Sequence, residues 1–135
     1  MEVVVDTNII ISALLRNGSA RKILLLAPFK FYTVPYAKRE IERHKTELIK
    51  KAGIGEDIFQ YLLNIIFEKI EIVTPDVINP YKEKAAEIMK DIDPSDTPFI
   101  ALALNLNCHI VSEDKHLKKQ TVVKTFTIKE ILDII

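Results

Sequence analysis

Glu2-Val3-Val4-Val5-Asp6-Thr7-Asn8-Ile9-Ile10-Ile11, residues 2–11, places two periodicities back to back. Glu2–Val5 is a short run of β-branched residues, the pattern of a strand buried on both faces. From Thr7 to Leu15 apolar residues fall all round a helix, as they do when it is largely buried. A carboxylate, Asp6, stands where the two meet. A buried strand passing at once into a helix is the start of an α/β unit.

Working outward, the same alternation continues. Asn17-Gly18-Ser19 breaks the chain, Ala20–Ala27 reads as a second helix and Phe29–Val34 as a second strand, which Pro35 closes while opening the next helix. That helix is expected to run to about Lys51, with Ala37, Ile41, His44 and Leu48 on its apolar stripe and Gly53 and Gly55 ending it. Glu56–Glu68 follows as a helix carrying Ile58, Tyr61, Leu62, Ile65 and Ile66 at helical spacing. Ile70–Val73 is a short strand stopped by Pro75, and Tyr81–Lys90 is helical. Asp93-Pro94-Ser95-Asp96-Thr97-Pro98 starts a helix through the apolar run Phe99–Leu106, with its N-cap near Ser95 or Thr97. Cys108–Ser112 and Val122–Phe126 read as the last strands, and Thr127 caps the closing helix Ile128–Ile134. The expected fold is a three-layer α/β/α sandwich around a mostly parallel sheet of about four to five strands, in one domain spanning residues 1–135.

Composition narrows the classes of function. The 135 residues are 48% hydrophobic, enough for one buried core, and 19 Lys+Arg balance 19 Asp+Glu, so no global field attracts a polyanion. Any nucleic-acid contact must come from local patches. Cys108 has no partner for a disulfide, and His44, His109 and His116 are not at zinc-ligand spacings. The opening residues resemble neither a signal peptide nor a bilayer span, and a cytoplasmic protein that uses no membrane is expected.

Chemistry gathers at strand ends. Ligands of open α/β sheets bind beyond the carboxyl ends of the strands, and Asp6 and Asp114 each follow an apolar strand run. Asp96 lies in a helix's first turn, whose N-terminus faces that same edge in a right-handed crossover. A helical wheel chooses among the glutamates of the third helix: Glu40, Glu47 and Glu42 fall roughly 75°, 95° and 125° from its apolar stripe. Glu40 therefore lies closest to the buried boundary, with Glu47 second. Carboxylates gathered in a cleft repel one another, by about 4 kcal/mol per close pair at an effective dielectric of about 20, and need a cation or protons. Oxygen-only ligands favour Mg²⁺ or Mn²⁺ over zinc.

Val-Val-Val-Asp-Thr-Asn at residues 3–8, Glu40, Asp93-Pro94-Ser95-Asp96 and Val111-Ser112-Glu113-Asp114 together resemble a PIN domain, a likeness that spans the whole chain. The resemblance implies a metal-dependent endoribonuclease acting on single-stranded RNA. Asp6, Glu40, Asp96 and Asp114 would be catalytic metal ligands, Asn8 and Ser112 would hydrogen-bond and orient them, and Asp93 would be an auxiliary acid. It also implies a homo-oligomer, dimer or tetramer, and, since many members are VapC-type toxins, an antitoxin partner. Such a site hydrolyses phosphodiesters through one or two Mg²⁺ ions and leaves a 5′-phosphate. Arg39, Arg43 and Lys115 stand out as substrate-binding cations, beside Lys38, Lys118, Lys119, Arg16 and Arg21.

Plainer readings accompany each acid taken singly. Asp6 would serve as a helix cap, Asp96 as a favourable first-turn residue, and Glu40 as a surface glutamate. Phosphoryl transfer through an aspartyl intermediate would want a second Asp two residues after Asp6, where Asn8 stands. A receiver-type domain would want an acidic pair beside the first strand, which Thr7 does not supply. The rival outside enzymology is a catalytically silent PIN-like module that binds RNA or a partner; an inactivated copy would be free to lose one of the four acids.

Overall fold

The computed structural model describes residues 1–135 and contains five strands, β1 (Glu2–Val5), β2 (Lys30–Thr33), β3 (Ile70–Ile72), β4 (His109–Val111) and β5 (Thr125–Phe126). They form one all-parallel sheet in the order β3-β2-β1-β4-β5, a completely parallel sheet at the upper end of the expected strand number. In the central strand Val3, Val4 and Val5 have no exposed surface, as an unbroken β-branched run between two helical layers requires.

Helices α1 (Thr7–Leu15), α2 (Ser19–Leu26), α3 (Pro35–Arg43), α4 (Lys45–Ala52) and α5 (Glu56–Glu68) lie in the crossovers from β1 to β2 and from β2 to β3. Helices α6 (Pro75–Ile78), α7 (Lys82–Met89) and α8 (Thr97–Leu106) fill the crossover that returns past β1 to β4, and α9 (Ile128–Ile134) closes the chain. Because the first two crossovers advance along the sheet in one direction and the third in the other, right-handed connections put the two groups on opposite faces. The packing agrees: α1 touches α2, α3, α4 and α5, while α8 packs on α6, α7 and β1.

Several local expectations are corrected. The helix from Pro35 to Lys51 is two helices, broken at His44 (φ −100°, ψ 14°). His44 consequently leaves the apolar stripe and is exposed beside Glu47, with Nδ1 to Oε2 3.9 Å. In α5 the buried stripe is Phe59, Leu63 and Ile66, which leaves Ile58 and Tyr61 exposed. The whole helix is apolar-rich, so spacing alone did not say which stripe faces inward. The strands after Cys108 and Val122 are shorter than expected. Between them the buried amide of Gln120 organises the loop, donating to the Leu117 and Val123 carbonyls (2.9 and 2.6 Å) and accepting from Val123 N–H (2.9 Å). A side chain that replaces ladder bonds in this way explains why Val123 needs no strand partner, the pairing with β4 starting at the Lys124 carbonyl, which accepts the Ile110 N–H at 3.1 Å.

Helix ends are placed by local chemistry. Gly53 ends α4 at φ 67°, and Asn107 ends α8 at φ 50°, left-handed positions that these two residue types tolerate best. Thr127 caps α9 as expected, within a reciprocal capping box with Glu130. No helix is long and apolar enough to cross a membrane.

Candidate active site

All five strands present their carboxyl ends at one edge, and the acids collect there. Asp6 directly follows β1; its N–H donates to the Val111 carbonyl (3.2 Å), so the β1–β4 ladder carries on into the acid itself. Ser112, after β4, donates its N–H to Phe126 at 2.9 Å and is completely buried. Its hydroxyl donates to Asp6 Oδ2 at 2.6 Å and accepts the Asp114 N–H at 2.9 Å. One serine thus joins two acids that lie 108 positions apart in the chain.

Asp96 arrives from the other side. Pro94–Asp96 is a turn of 3-10 helix capped by Asp93, whose Oδ1 accepts Ser95 N–H (3.1 Å) and Ser95 Oγ–H (2.6 Å). Asp96 itself is the N-cap of α8, between the two caps expected from the sequence. The 3-10 turn adds the residue of offset.

Asp6, Glu40, Asp93, Asp96 and Asp114 line one cleft of about 240 Å³, together with Thr7, Asn8, Tyr36, Ser95 and Phe99. No Lys, Arg or His lines it. Glu40 reaches the cleft from the last turns of α3, whereas Glu47, on α4 beyond the break, does not. The wheel's preference for Glu40 agrees with this placement, although its premise of one continuous helix was wrong.

Burial and mutual repulsion set the electrostatics. Burial, then the charges of Asp6, Asp114 and Asp93, push the Asp96 carboxyl up to about 7. Asp96 Oδ2 is buried with no hydrogen-bond partner, the one such side-chain atom in the protein. Burial also raises Asp6, with the Ser112 hydrogen bond pulling the other way and Asp114 adding to the rise. Asp93 is held below the usual range by its two bonds from Ser95.

A divalent cation fits these residues on the chemistry of the donors. The residues lining the cleft offer oxygen ligands and include no Lys or Arg, the imidazole of His116 stands beside two of the acids, and the buried Oδ2 of Asp96 has no hydrogen-bond partner. Such an atom costs about 1–3 kcal/mol or more unless something binds it.

The remaining expected residues are placed less tightly. Asn8 lines the cleft from the first turn of α1, yet its exposed side chain hydrogen-bonds none of the acids. Arg39 lies outside the acid cleft in an adjoining groove. Arg43 and Lys115 are exposed and line neither. Two residues gain importance. Tyr36 forms part of the cleft wall; its position just after Pro35, at the carboxyl end of β2, was a usable signal. His116 sits at the rim with Nδ1 3.3 Å from Asp114 Oδ1 and 3.8 Å from Asp93 Oδ2, and the ligand atoms of these three residues lie within 4.8 Å of one another.

Comparison with known proteins places this geometry. A family model described as PIN domain matches residues 4–132. The crystal structure of VapBC2 from Rickettsia felis bound to a DNA fragment from their promoter is similar, with a TM-score of 0.71 at 17% identity, covering 94% of this chain and 98% of that one. So is VapBC-1 from nontypeable Haemophilus influenzae, with a TM-score of 0.69 at 18% identity, covering 96% and 99%. No curated protein matches the sequence.

Proposed function

The chain belongs to the PIN-domain family, and from that premise we propose that it is a Mg²⁺- or Mn²⁺-dependent endoribonuclease that hydrolyses single-stranded RNA. One observation carries the reading: five carboxylates line a single cleft with no Lys or Arg among its walls, and Asp96 Oδ2 is buried without a partner. A purely structural cluster would neutralise such charges internally, because unpaired buried charge is strongly destabilising.

In this reading Asp6, Glu40, Asp96 and Asp114 hold the ion. When bound, a divalent cation supplies Lewis-acid stabilisation of the phosphate and lowers the pKa of a water. The protein's own residues provide the geometry. Ser112 fixes Asp6 by holding Oδ2, and the same hydroxyl sets the backbone of Asp114. Asp93 caps the 3-10 turn through Oδ1 and so presents Asp96, the part of an auxiliary acid, while its Oδ2 faces His116. Asn8, exposed at the cleft, would orient water or substrate.

The fold's likeness to VapC chains of VapBC complexes supports a further step: this chain is the toxin of a toxin–antitoxin pair, with an antitoxin as partner and self-association into a dimer or tetramer. The exposed Leu26, Ile58 and Tyr61 are apolar surface available to such contacts.

The test is direct. Purified protein with Mn²⁺ or Mg²⁺ should cut single-stranded RNA, and EDTA or Asp6→Asn should abolish cutting. Activity that survives Asp6→Asn would place the chemistry elsewhere. Co-expression with the adjacent reading frame should give a stable complex in which cutting is suppressed.

A further inference from the structure

Tyr36 lines both the acid cleft and a larger neighbouring groove of about 470 Å³. This groove lies at the carboxyl ends of β2 and β3, beside the acids at the ends of β1 and β4, so the two make one crevice along the sheet edge. Its character is opposite. Ile78 and prolines including Pro35 and Pro94 supply apolar walls, while Arg39 and Lys82 bring positive charge. Both cations are exposed, and neither has a carboxylate partner in the protein. Past Pro35 and Arg39 the surface continues into a second depression lined by Lys38 and Glu42.

We propose that this groove binds the nucleotide adjacent to the scissile phosphate, its base against Ile78, the prolines and Tyr36, and its phosphates on Arg39 and Lys82. The inference rests on the nuclease reading for the position of the scissile phosphate. Charge complementarity selects the occupant. A chain whose cleaved phosphate is held over carboxylates needs its next phosphates on cations, and the unpaired cations begin where the acids stop. Apolar walls and a tyrosine suit a base, since stacking is indifferent to sequence. Proline walls are already rigid, so little entropy is lost when a base settles on them.

The experiment compares two probes, a ten-residue single-stranded RNA and an abasic ribose-phosphate oligomer of the same length. Their affinities are measured by fluorescence anisotropy with Ca²⁺ replacing Mn²⁺, on the full chain and on variants whose folding is verified by circular dichroism. The wild type should prefer the base-bearing probe by about tenfold. Tyr36→Ala and Ile78→Asp should each remove most of that preference, with Ile78→Ser as the milder form if the aspartate disturbs folding. Lys82→Glu should weaken both probes alike and flatten the salt dependence. Equal binding of the two probes by the wild type, or a preference that survives Tyr36→Ala and the Ile78 variants, overturns the proposal. So do groove variants that keep RNA affinity but lose a protein partner, which would make the groove a protein-docking face. Base preference in a protein that fails to cut RNA with Mn²⁺ would support the groove and refute the nuclease reading.

Discussion

Ser112 Oγ donates to Asp6 Oδ2 at 2.6 Å across the β1–β4 junction, in a completely buried position, while accepting the Asp114 N–H at 2.9 Å. Neither acid is aligned by its own strand alone; the hydroxyl ties their orientations together. Groups that orient metal ligands typically contribute 10–100-fold to affinity or activity.

Ser112→Ala should therefore lower Mn²⁺ affinity and RNA cleavage by about tenfold or more. It should also destabilise the protein by about 1–3 kcal/mol through the stranded Asp114 N–H. Isothermal titration with Mn²⁺ and a single-turnover cleavage assay read the two effects. A variant with wild-type metal affinity would show that Ser112 is only part of the core.

Asp96→Asn separates stability from function. Removing a repelled, buried charge should raise the metal-free melting temperature at pH 8, at roughly 3–5 °C per kcal/mol for a chain of this size. The same change should abolish the stabilisation that Mn²⁺ gives the wild type, along with cleavage. Thermal melts with and without Mn²⁺ decide it, and a metal-free variant less stable than wild type contradicts the repulsion argument.

Stability should fall as pH rises in the metal-free protein. Asp96 has a folded-state value of about 7 against 3.8 unfolded, so between these values the folded state holds the extra proton. Its contribution is fully present below pH 4 and is lost as pH rises through 7; the raised Asp6 acts with the same sign. Asp93, held low, acts oppositely but only under acid conditions. Added Mn²⁺ should raise the melting temperature more at pH 8 than at pH 5, because protons compete with the ion. Equal gains at both pH values would mean that the ion does not bind these groups.

Glu40→Gln and Glu47→Gln form a matched pair. Glu40 lines the cleft and its substitution should reduce cleavage by about 10²-fold or more. Glu47 lies on α4 beside His44, and its substitution should leave cleavage within about twofold, as surface changes usually do. Comparable losses in both would reopen the assignment of the fourth acid.

Thr127→Ala should cost about 1 kcal/mol by removing the cap of α9. Urea denaturation measures it. Glu130, whose carboxyl is held down at about 2 first by Lys118 and then by the Thr127 N–H, should stay low in that variant and rise toward an ordinary carboxylate value in Lys118→Met, which NMR titration would show.

The strand-helix alternation, the single domain and the strand-end acids were legible because each rests on local pattern. Val3–Val5 cannot be both fully apolar and edge-exposed, and a carboxylate directly after such a strand must emerge at the sheet's ligand edge. Asp6 and Asp114 followed from that geometry as well as from resemblance. Glu40 came from a wheel drawn through a helix that the structure breaks at His44; Glu40 lines the cleft and Glu47 does not, because Glu40 precedes the break and Glu47 follows it. The buried stripe of α5 was misjudged because Ile58 and Tyr61 are as apolar as the residues that do turn inward.

By itself, then, the sequence determined the α/β class, the parallel sheet and the three acids that strand ends and a helix start bring to one edge, because burial and periodicity act within a few residues. Only the tertiary structure decided which glutamate joins them, that Ser112 bridges Asp6 and Asp114, that Asp96 Oδ2 is buried with no partner, and that Tyr36 lines both the acid cleft and a basic, apolar-walled groove. Those relationships link residues as far apart as Asp6 and Asp114, 108 positions along the chain, and no local preference encodes them; they exist only once the crossovers have folded the strands' carboxyl ends into a single crevice.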